Sequence, residues 1–436
     1  MPFLEEYTLL DELGQGGYAT VYKVRHNNLG YIRAIRVLNA VIAHGEEDAT
    51  YQKFLNECRL LLRLGNGNHP NIVHIYQPLL KAQRAIVEMD YVDGKDLYHY
   101  LEEQRNFVET SDVLRLLKEI GSALAYCHEN IYKFCMDKGE DNLQDDPNDG
   151  SKVLIDEAKK QELINKYRVI HNDIHSGNII RREDGNFVLL DFGLAIEGES
   201  VVRSSRRRNG APEFKAPEKW ANDGVLTTQS DIYSFGVVLY EYLAGRVPFP
   251  FDKQNSNPTQ AEYLLNKAHE EATPPPIFEL RKAAFEKAHP GETYVKDYPD
   301  WLEELIMKCL AKRPEERFSS GKELYEYVDE MLSTEIQVPI PEPIPEPIPE
   351  PIPVPTPIVS VDESEQVKDL SAQIALSHRT IDNLNRELFA IGREYRLLKN
   401  DYQKLVAQGE KPRPNILIIA LIAFVIGGAI GMLLCI

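Results

Sequence analysis

Apolar and polar residues alternate in short stretches along the N-terminal part of the chain, which is the pattern of β-strands. The alternation on both sides of the glycine-rich segment 13–17 predicts the two strands of a hairpin, and residues 85–92 predict a further strand. Between them, apolar residues recur every three or four positions and predict one face of a helix: Phe54, Cys58, Leu61 and Leu62. The region therefore combines strands with an amphipathic helix.

The pattern changes abruptly after residue 331. Proline occupies every second position from Pro339 to Pro357, which favours a stiff polyproline II segment of roughly 60 Å. The alternative is a ligand for an SH3-type domain, but prolines at alternate positions never supply the PxxP spacing. We assign residues 334–361 to a Pro-rich spacer.

Residues 362–410 carry a heptad repeat of apolar residues. The first core position of each heptad holds Val367, Ile374, Ile381, Leu388, Tyr395 and Tyr402. The second holds Leu370, Ser377, Leu384, Ile391, Leu398 and Leu405. Regular heptads over this length favour a coiled coil that forms a parallel homodimer. A single helix that packs back on the preceding domain is the alternative.

The last segment, residues 415–436, is apolar or glycine at every position after Asn415. A helix of this length spans the hydrocarbon core of a bilayer, so we expect a single-pass membrane protein with a C-terminal transmembrane anchor. Lys411 and Arg413 flank the N-terminal side of the segment, which predicts that the preceding domain faces the cytoplasm. A buried core helix is the alternative.

A chain of 436 residues with 43% hydrophobic content is long enough to bury a large core. Its net charge of −19 argues against nucleic acid as a partner. Many acidic residues lie at 137–149, after a helix that we expect to end near His128. We interpret the region from about 131 to 168 as an inserted loop plus a short helix. The five scattered cysteines indicate neither structural zinc nor a disulfide framework, and favour a reducing compartment.

The stretch His-Asn-Asp-Ile-His-Ser-Gly-Asn at residues 171–178 is followed by Asp191-Phe192-Gly193. This order places one Asp, one Asn and a second Asp around a short loop and hairpin. Phosphoryl transfer from Mg-ATP requires such a set, because one carboxylate must orient and deprotonate a hydroxyl while an amide oxygen and a second carboxylate hold magnesium. The stretch therefore indicates a phosphotransferase.

Further segments stand in a fixed order around this stretch: residues 13–22, 33–38, 54–64, 69–73, 215–218, 230–237 and 309–317. In that order they resemble the motifs of the eukaryotic-type protein kinase family, in particular of a Ser/Thr kinase, over residues 1–333. The resemblance implies an α+β fold of two lobes and an ion pair between Glu218 and Arg317. It also implies ATP and Mg²⁺ as cofactors and a protein as the substrate or partner.

The resemblance assigns roles to individual residues. The catalytic residues would be Asp173 as the base, His175 near the transferred phosphate, and Arg36 with Glu57 as the pair that orients the phosphates. The ATP-binding residues would be Gly14, Gly16, Gly17, Val21, Ala34, Arg36, Met89 and Asp96. The magnesium ligands would be Asn178 and Asp191.

Arg36 stands where the family carries Lys, and the two residues are not interchangeable at a phosphate site. One hypothesis is an active kinase, tethered to the cytoplasmic side of a membrane and acting in trans within a dimer. The alternative is a membrane-anchored pseudokinase scaffold that binds nucleotide or partners without turnover. Two lesser alternatives are a phosphate contact from Lys23 and a kinase of small molecules. Asn172 replaces the Arg that in the family clamps a phosphorylated activation loop, which argues against activation by that route.

Overall fold

The computed structural model describes residues 5–66, 69–137, 157–198, 211–220, 225–252 and 257–335, which belong to one compact unit. The predicted Pro-rich spacer, coiled coil and transmembrane anchor lie outside these residues, as does most of the acidic run. Within the described ranges, no helix combines the length and the apolar character needed to cross a membrane. These three predictions therefore stay predictions.

The N-terminal lobe is a five-stranded antiparallel sheet in the order β1-β2-β3-β5-β4. Its strands are β1 (Tyr7–Gln15), β2 (Ala19–His26), β3 (Ile32–Leu38), β4 (Ile75–Lys81) and β5 (Arg84–Asp90). Helix α1 (Ala49–Asn66) crosses the sheet and buries Phe54, Cys58 and Leu61 against it. The predicted hairpin and helix are confirmed, because the apolar periodicity of each segment matches the side that it buries.

The C-terminal lobe is mainly helical. Its helices are α2 (Leu97–Glu103), α3 (Thr110–Ala125), α4 (Ile131–Asp137), α5 (Glu157–Tyr167), α6 (Thr228–Ala244), α7 (Pro258–Glu271), α8 (Ile277–Ala288), α9 (Asp300–Cys309) and α10 (Gly321–Glu335). Two small antiparallel sheets lie at its upper edge, one of β6 (Gly94–Asp96), β8 (Ile179–Arg182) and β9 (Phe187–Leu189), the other of β7 (Val169–Ile170) and β10 (Ile196–Glu197). The catalytic stretch predicted from the sequence runs between β7 and β8.

Helix α6 forms the centre of this lobe, with a buried side chain at all but one of its positions. It begins at a capping box, in which the side chain of Thr227 and that of Ser230 satisfy each other's backbone N–H. It ends at Gly245, which has a φ of 81°. A Cβ there would lie 2.3 Å from the carbonyl oxygen of Asn106, so both the conformation and the space require glycine.

Helix α10 packs along α3. A Cβ on Gly321 would lie 2.4 Å from the backbone of Leu124, which shows how closely the two backbones approach. Leu324 and Val328 extend the contact as fully buried residues. The last described helix is thus an integral part of the core.

The expected helix end near His128 is wrong. Helix α3 continues through one wider turn, Tyr126–Asn130, directly into α4. The wider turn directs the side chain of His128 into the core, and Ile131 and Cys135 keep the following helix buried. Helix α5 then supplies a short helix within the region that we interpreted as an insertion.

Candidate active site

The catalytic loop, residues 171–178, is held from below by α6. The carboxylate of Asp231, which is 1% exposed, accepts hydrogen bonds from the backbone N–H groups of His171 at 2.6 Å and Asn172 at 2.8 Å. Nε2 of His128 lies 3.1 Å from the same carboxylate, and Nδ1 of that ring accepts from the N–H of Gly321. Burial alone would raise the pKa of Asp231, but its hydrogen-bond donors hold it below the usual range. The loop therefore rests on a buried anion with three donors.

Asp173 follows at once, and two predicted site residues surround it. The side-chain amide of Asn178 donates to the backbone oxygen of Asp173 at 2.9 Å. Nε2 of His175 lies 3.9 Å from Oδ2 of Asp173. Burial lowers the pKa of His175, and Asp173 only partly opposes this effect, so the ring is neutral near pH 7. The structure brings these three residues together as the spacing predicted.

Asp191 lies at the entrance to the opposite hairpin in a left-handed conformation, with a φ of 46°. Its Oδ1 accepts from the N–H of Gly193 at 3.0 Å. The neighbouring Phe192 is buried, with its ring centroid 4.4 Å from that of His171. This packing turns the Asp191 side chain toward the cleft and the Phe192 ring away from it.

Arg36 lies on β3 and reaches two carboxylates. Its Nη1 pairs with Oε1 of Glu57 on α1, and its Nη2 lies 3.7 Å from Oδ1 of Asp191. Burial alone would lower the pKa of Arg36, but Glu57 and Asp191 hold it above its usual range. The pair with Glu57 that we expected is present, so α1 is docked against the sheet.

The glycine-rich turn joins β1 to β2 above this pair. Gly14 lies within β1, whereas Gly16 and Gly17 form the turn, which closes with a hydrogen bond from the Gly16 N–H to the carbonyl of Ala19. The side chain of Asn39, just after β3, donates to the carbonyl of Gly16 at 2.8 Å and accepts from the hydroxyl of Thr20 at 3.0 Å. Asn39 thus fixes the base of the turn.

The remaining predicted ATP-binding residues lie along the strands that face the cleft. Val21 is paired with Arg36 across β2 and β3, and Ala34 with Met89 across β3 and β5. Asp96 is the N-cap of α2, where its carboxylate accepts from the backbone N–H of His99 at 3.0 Å and lies 2.7 Å from Nδ1 of that ring. The roles of these residues toward ATP stay predictions.

The suggestion that Lys23 replaces the missing lysine does not fit its position. Lys23 pairs with Ala34, two residues along β2 from the partner of Arg36. That step is about 6.6 Å along a strand. Its Nζ lies 4.0 Å from the ring centroid of Tyr91, just after β5. Its charge is therefore placed away from Glu57 and Asp191.

The oxygens of Asn178 and Asp191 fit a magnesium ion. The amide nitrogen of Asn178 is engaged by Asp173, which leaves the amide oxygen as a ligand. Mg²⁺ in phosphotransferases takes few protein oxygens and completes its shell with phosphate and water. In the described part of the chain, no three or more His, Cys, Asp or Glu side chains converge in a way that could hold a metal ion.

The late segment predicted from the resemblance forms its ion pair. Arg317 donates Nη1 and Nη2 to the two carboxylate oxygens of Glu218 at 2.9 and 3.0 Å, and Ser230 donates to the same carboxylate at 2.7 Å. The guanidinium also donates to the carbonyls of Ala311 and Lys312. Glu218 ends the activation segment, the stretch that begins at Asp191. This end of the segment is thereby fixed to the C-terminal lobe.

Sequence reasoning missed three residues that shape this site: His128, Asn39 and Lys219. Lys219, 5% exposed, donates from Nζ to the backbone oxygen of Asn172. His128 and Asn39 have no local signal, because each acts on a residue far away in sequence. A lysine directly after the Ala-Pro-Glu motif was the one unusual feature that sequence inspection could have questioned.

The sequence model described as the protein kinase domain matches residues 7–137 and 158–332. The chain belongs to the protein kinase family. The gap in the match, residues 138–157, is shorter than the region from about 131 to 168 that we interpreted as an insertion. The two-lobed fold, the catalytic loop and the docked α1 are those of a protein kinase domain.

The kinase domain is similar to that of bacterial relatives. A probable serine/threonine-protein kinase of Clostridium acetobutylicum is 27% identical over 321 residues, covering 73% of this chain and 39% of that protein. The serine/threonine-protein kinase PrkC of Bacillus subtilis is 25% identical over 319 residues, covering 73% and 39%. The probable serine/threonine-protein kinase PknB of Lactococcus lactis is 24% identical over 324 residues, covering 74% and 41%. The chain spans about two fifths of the length of these relatives.

Proposed function

We propose that this chain is a serine/threonine protein kinase that transfers the γ-phosphoryl group of ATP to a protein hydroxyl. The observation that carries the proposal is the ion pair of Arg36 with Glu57, which holds a cation on β3 and docks α1 against the sheet. This pair supports a site in which a fixed cation, a carboxylate base and two magnesium ligands would line one cleft. The names of the relatives, all serine/threonine kinases, support the class of acceptor.

The residues would divide the chemistry as follows. Asp173 accepts the proton of the substrate hydroxyl as its oxygen bonds to the γ-phosphorus, and ADP leaves with the electrons of the broken bond. Arg36 orients the phosphates by its charge and is itself held by Glu57. A magnesium ion held by Asn178 and Asp191 would neutralise the charge on the phosphates. The neutral ring of His175 would donate a hydrogen bond near the transferred group.

The tail would place this activity at a membrane. Residues 415–436 would anchor the chain, with the kinase domain on the cytoplasmic side, and the Pro-rich spacer would hold it away from the surface. The heptads would join two copies in parallel, so that one domain phosphorylates the other in trans. The apolar run, the flanking basic residues and the heptad pattern support this arrangement.

A second candidate function is a membrane-bound scaffold that binds nucleotide without turnover. One observation favours it: Nη2 of Arg36 lies 3.7 Å from Asp191, so the guanidinium competes with magnesium for that carboxylate. A lysine ammonium has no second arm to make this contact. The two candidates differ in turnover and agree in nucleotide binding.

The test is phosphate transfer from γ-labelled ATP by the full chain in detergent, with magnesium and a generic protein substrate. Asp173→Ala is the blank, and Asp184→Ala, in the exposed turn between β8 and β9, is the matched control. We expect Asp173→Ala to transfer phosphate at least a thousandfold more slowly than wild type. Asp184→Ala should transfer phosphate at the wild-type rate. Nucleotide binding with no transfer above the blank would favour the scaffold, and transfer that survives Asp173→Ala would refute the mechanism.

A further inference from the structure

Lys219 is a buried lysine at the end of the activation segment. It closes the single turn Pro217–Lys219, directly after the Glu218 that pairs with Arg317. Its ammonium lies among residues of the catalytic loop and α6, with Nζ on the carbonyl oxygen of Asn172. Burial lowers the pKa of Lys219, and the nearby Asp231 and Asp173 oppose that effect. A long polar side chain is rarely buried so completely unless its head group has a partner.

The partner carbonyl belongs to the peptide that carries the proposed base. Asn172 has a φ of 66°, a left-handed conformation that costs about 1 kcal/mol or more for a residue other than glycine. The N–H in the same peptide plane as that carbonyl is the one of Asp173, which donates to Nδ1 of His171 at 3.3 Å. Lys219 therefore holds one edge of the peptide plane from which Asp173 projects.

Two further groups of Asn172, its backbone N–H and its side-chain nitrogen, are tied to other parts of the site. Its N–H donates to Asp231 on α6, and its side-chain amide donates at 3.0 Å to the carbonyl of Leu194, just after Asp191-Phe192-Gly193. Together with Lys219, these bonds link Asn172 to both ends of the activation segment. A change at either end would therefore reach the peptide next to the base.

We propose that Lys219 is a positioning residue, which couples the order of the activation segment to the placement of Asp173 through the carbonyl of Asn172. It touches neither ATP nor the acceptor protein. In this chain the coupling is made by a lysine and an asparagine that belong to the fold, with no phosphate on the activation segment required for it. The kinetic consequence rests on the proposed kinase activity, whereas the structural coupling does not.

The experiment compares Lys219→Met with Lys312→Met in the full chain. Lys312 is a matched control, because its ammonium donates at 2.8 Å to the backbone carbonyl of His269 at the end of α7. Both variants lose a lysine-to-carbonyl hydrogen bond, but only one loss lies beside the base. Lys219→Gln, which keeps a polar group in the pocket but does not reach the carbonyl, replaces the Met variant if that protein does not fold.

Two readouts separate positioning from a general loss of structure. We expect Lys219→Met to lower kcat about a hundredfold, the effect of a displacement of about 1 Å, and to leave the KM for ATP within about twofold of wild type. We also expect amide hydrogen exchange in residues 171–178 to become at least about tenfold faster, while it stays unchanged in Lys312→Met.

Each result decides the proposal. Unchanged exchange in residues 171–178 of Lys219→Met would overturn it, and so would equal kcat losses in the two lysine variants. A wild-type protein without transfer would defeat the proposed function alone. The exchange measurement would still confirm or refute the coupling in that case.

Discussion

The two walls of the cleft are built in different ways. The lower wall, the catalytic loop on α6, rests on Asp231, a carboxylate with 1% exposure and three donors from the chain itself. The upper wall, the strands β1 to β3 with α1, holds Arg36 chiefly through Glu57. The lower wall is therefore set before any ligand arrives, whereas the upper wall depends on one ion pair and a turn that is largely exposed.

The two kinds of support differ in how much change they accept. A buried hydrogen-bond network such as the one around Asp231 tolerates few changes, because removal of one member leaves others unsatisfied. An ion pair at a cleft accepts another cation with less disturbance, so arginine at position 36 still finds Glu57. The predictions below test whether the two walls differ as much as their contacts suggest.

The largest effect is expected at the lower wall. Asp231→Ala leaves the N–H groups of His171 and Asn172 buried without an acceptor, and should cost about 3–5 kcal/mol of unfolding free energy. Urea denaturation would measure it. Asp300→Ala is the control, because that exposed carboxylate forms a surface pair with Lys296 and should change stability by less than about 1 kcal/mol. Equal losses would remove the distinction between the walls.

The second effect concerns the upper wall. Arg36→Met should lower kcat about a hundredfold, because the phosphates lose their orienting charge, as steady-state transfer would show. Arg36→Lys should transfer at least as fast as wild type, since an ammonium keeps Glu57 and releases Asp191. Arg33→Met, on the same strand but paired with Glu88, is the control. If Arg36→Met keeps the wild-type kcat, a residue other than Arg36 orients the phosphates.

Acid should destabilise the C-terminal lobe by protonating His269. Burial lowers the pKa of this histidine to about 3, against about 6.5 in the unfolded chain. The stability that its neutral form contributes is complete above pH 6.5 and is lost as the pH falls toward 3, by up to about 1.4 kcal/mol per unit. Urea denaturation at pH 7, 6 and 5 would measure how the free energy of unfolding changes with pH. This dependence should become weaker in His269→Gln. If it stays the same, groups other than His269 cause it.

The smallest effect should come from the glycine-rich turn. Asn39→Ala removes the bond to the carbonyl of Gly16 and should raise the KM for ATP about fivefold, the equivalent of about 1 kcal/mol, with kcat unchanged. Asn27→Ala is the matched control, because Asn27 holds the opposite end of the same hairpin through Thr8. Transfer rates at varied ATP concentration would give the KM of both variants. Equal KM values would assign Asn39 a purely structural role.

The sequence predicted what depends on local order. The motifs placed Asp173, Asn178 and Asp191 together, and the family resemblance of the late segment correctly paired Glu218 with Arg317. Apolar periodicity predicted α1 but failed at His128, because a single wider turn leaves no trace in the pattern of apolar residues.

Long-range hydrogen bonds account for the rest. Lys219 and Asn39 act on backbone carbonyls, and a carbonyl carries no sequence signature, so no motif pairs them. Lys23 looked like a neighbour of the phosphates because β2 follows the glycine turn directly. The register of β2 against β3 decides its position instead, and register cannot be read from one strand alone.

Helix α10 has a mechanical consequence. The chain leaves the described domain at Glu335, so any pull from the residues beyond it enters the domain through this helix. The close contact of Gly321 with Leu124 transmits such a pull from α10 to α3. The force acts as shear between the two helices, so many packed side chains resist it at once. The N–H of Gly321 also donates to His128, which contacts Asp231 beneath the catalytic loop, so the same helix is linked to the loop. His128 is thus the residue through which tension on α10 would reach the lower wall of the cleft.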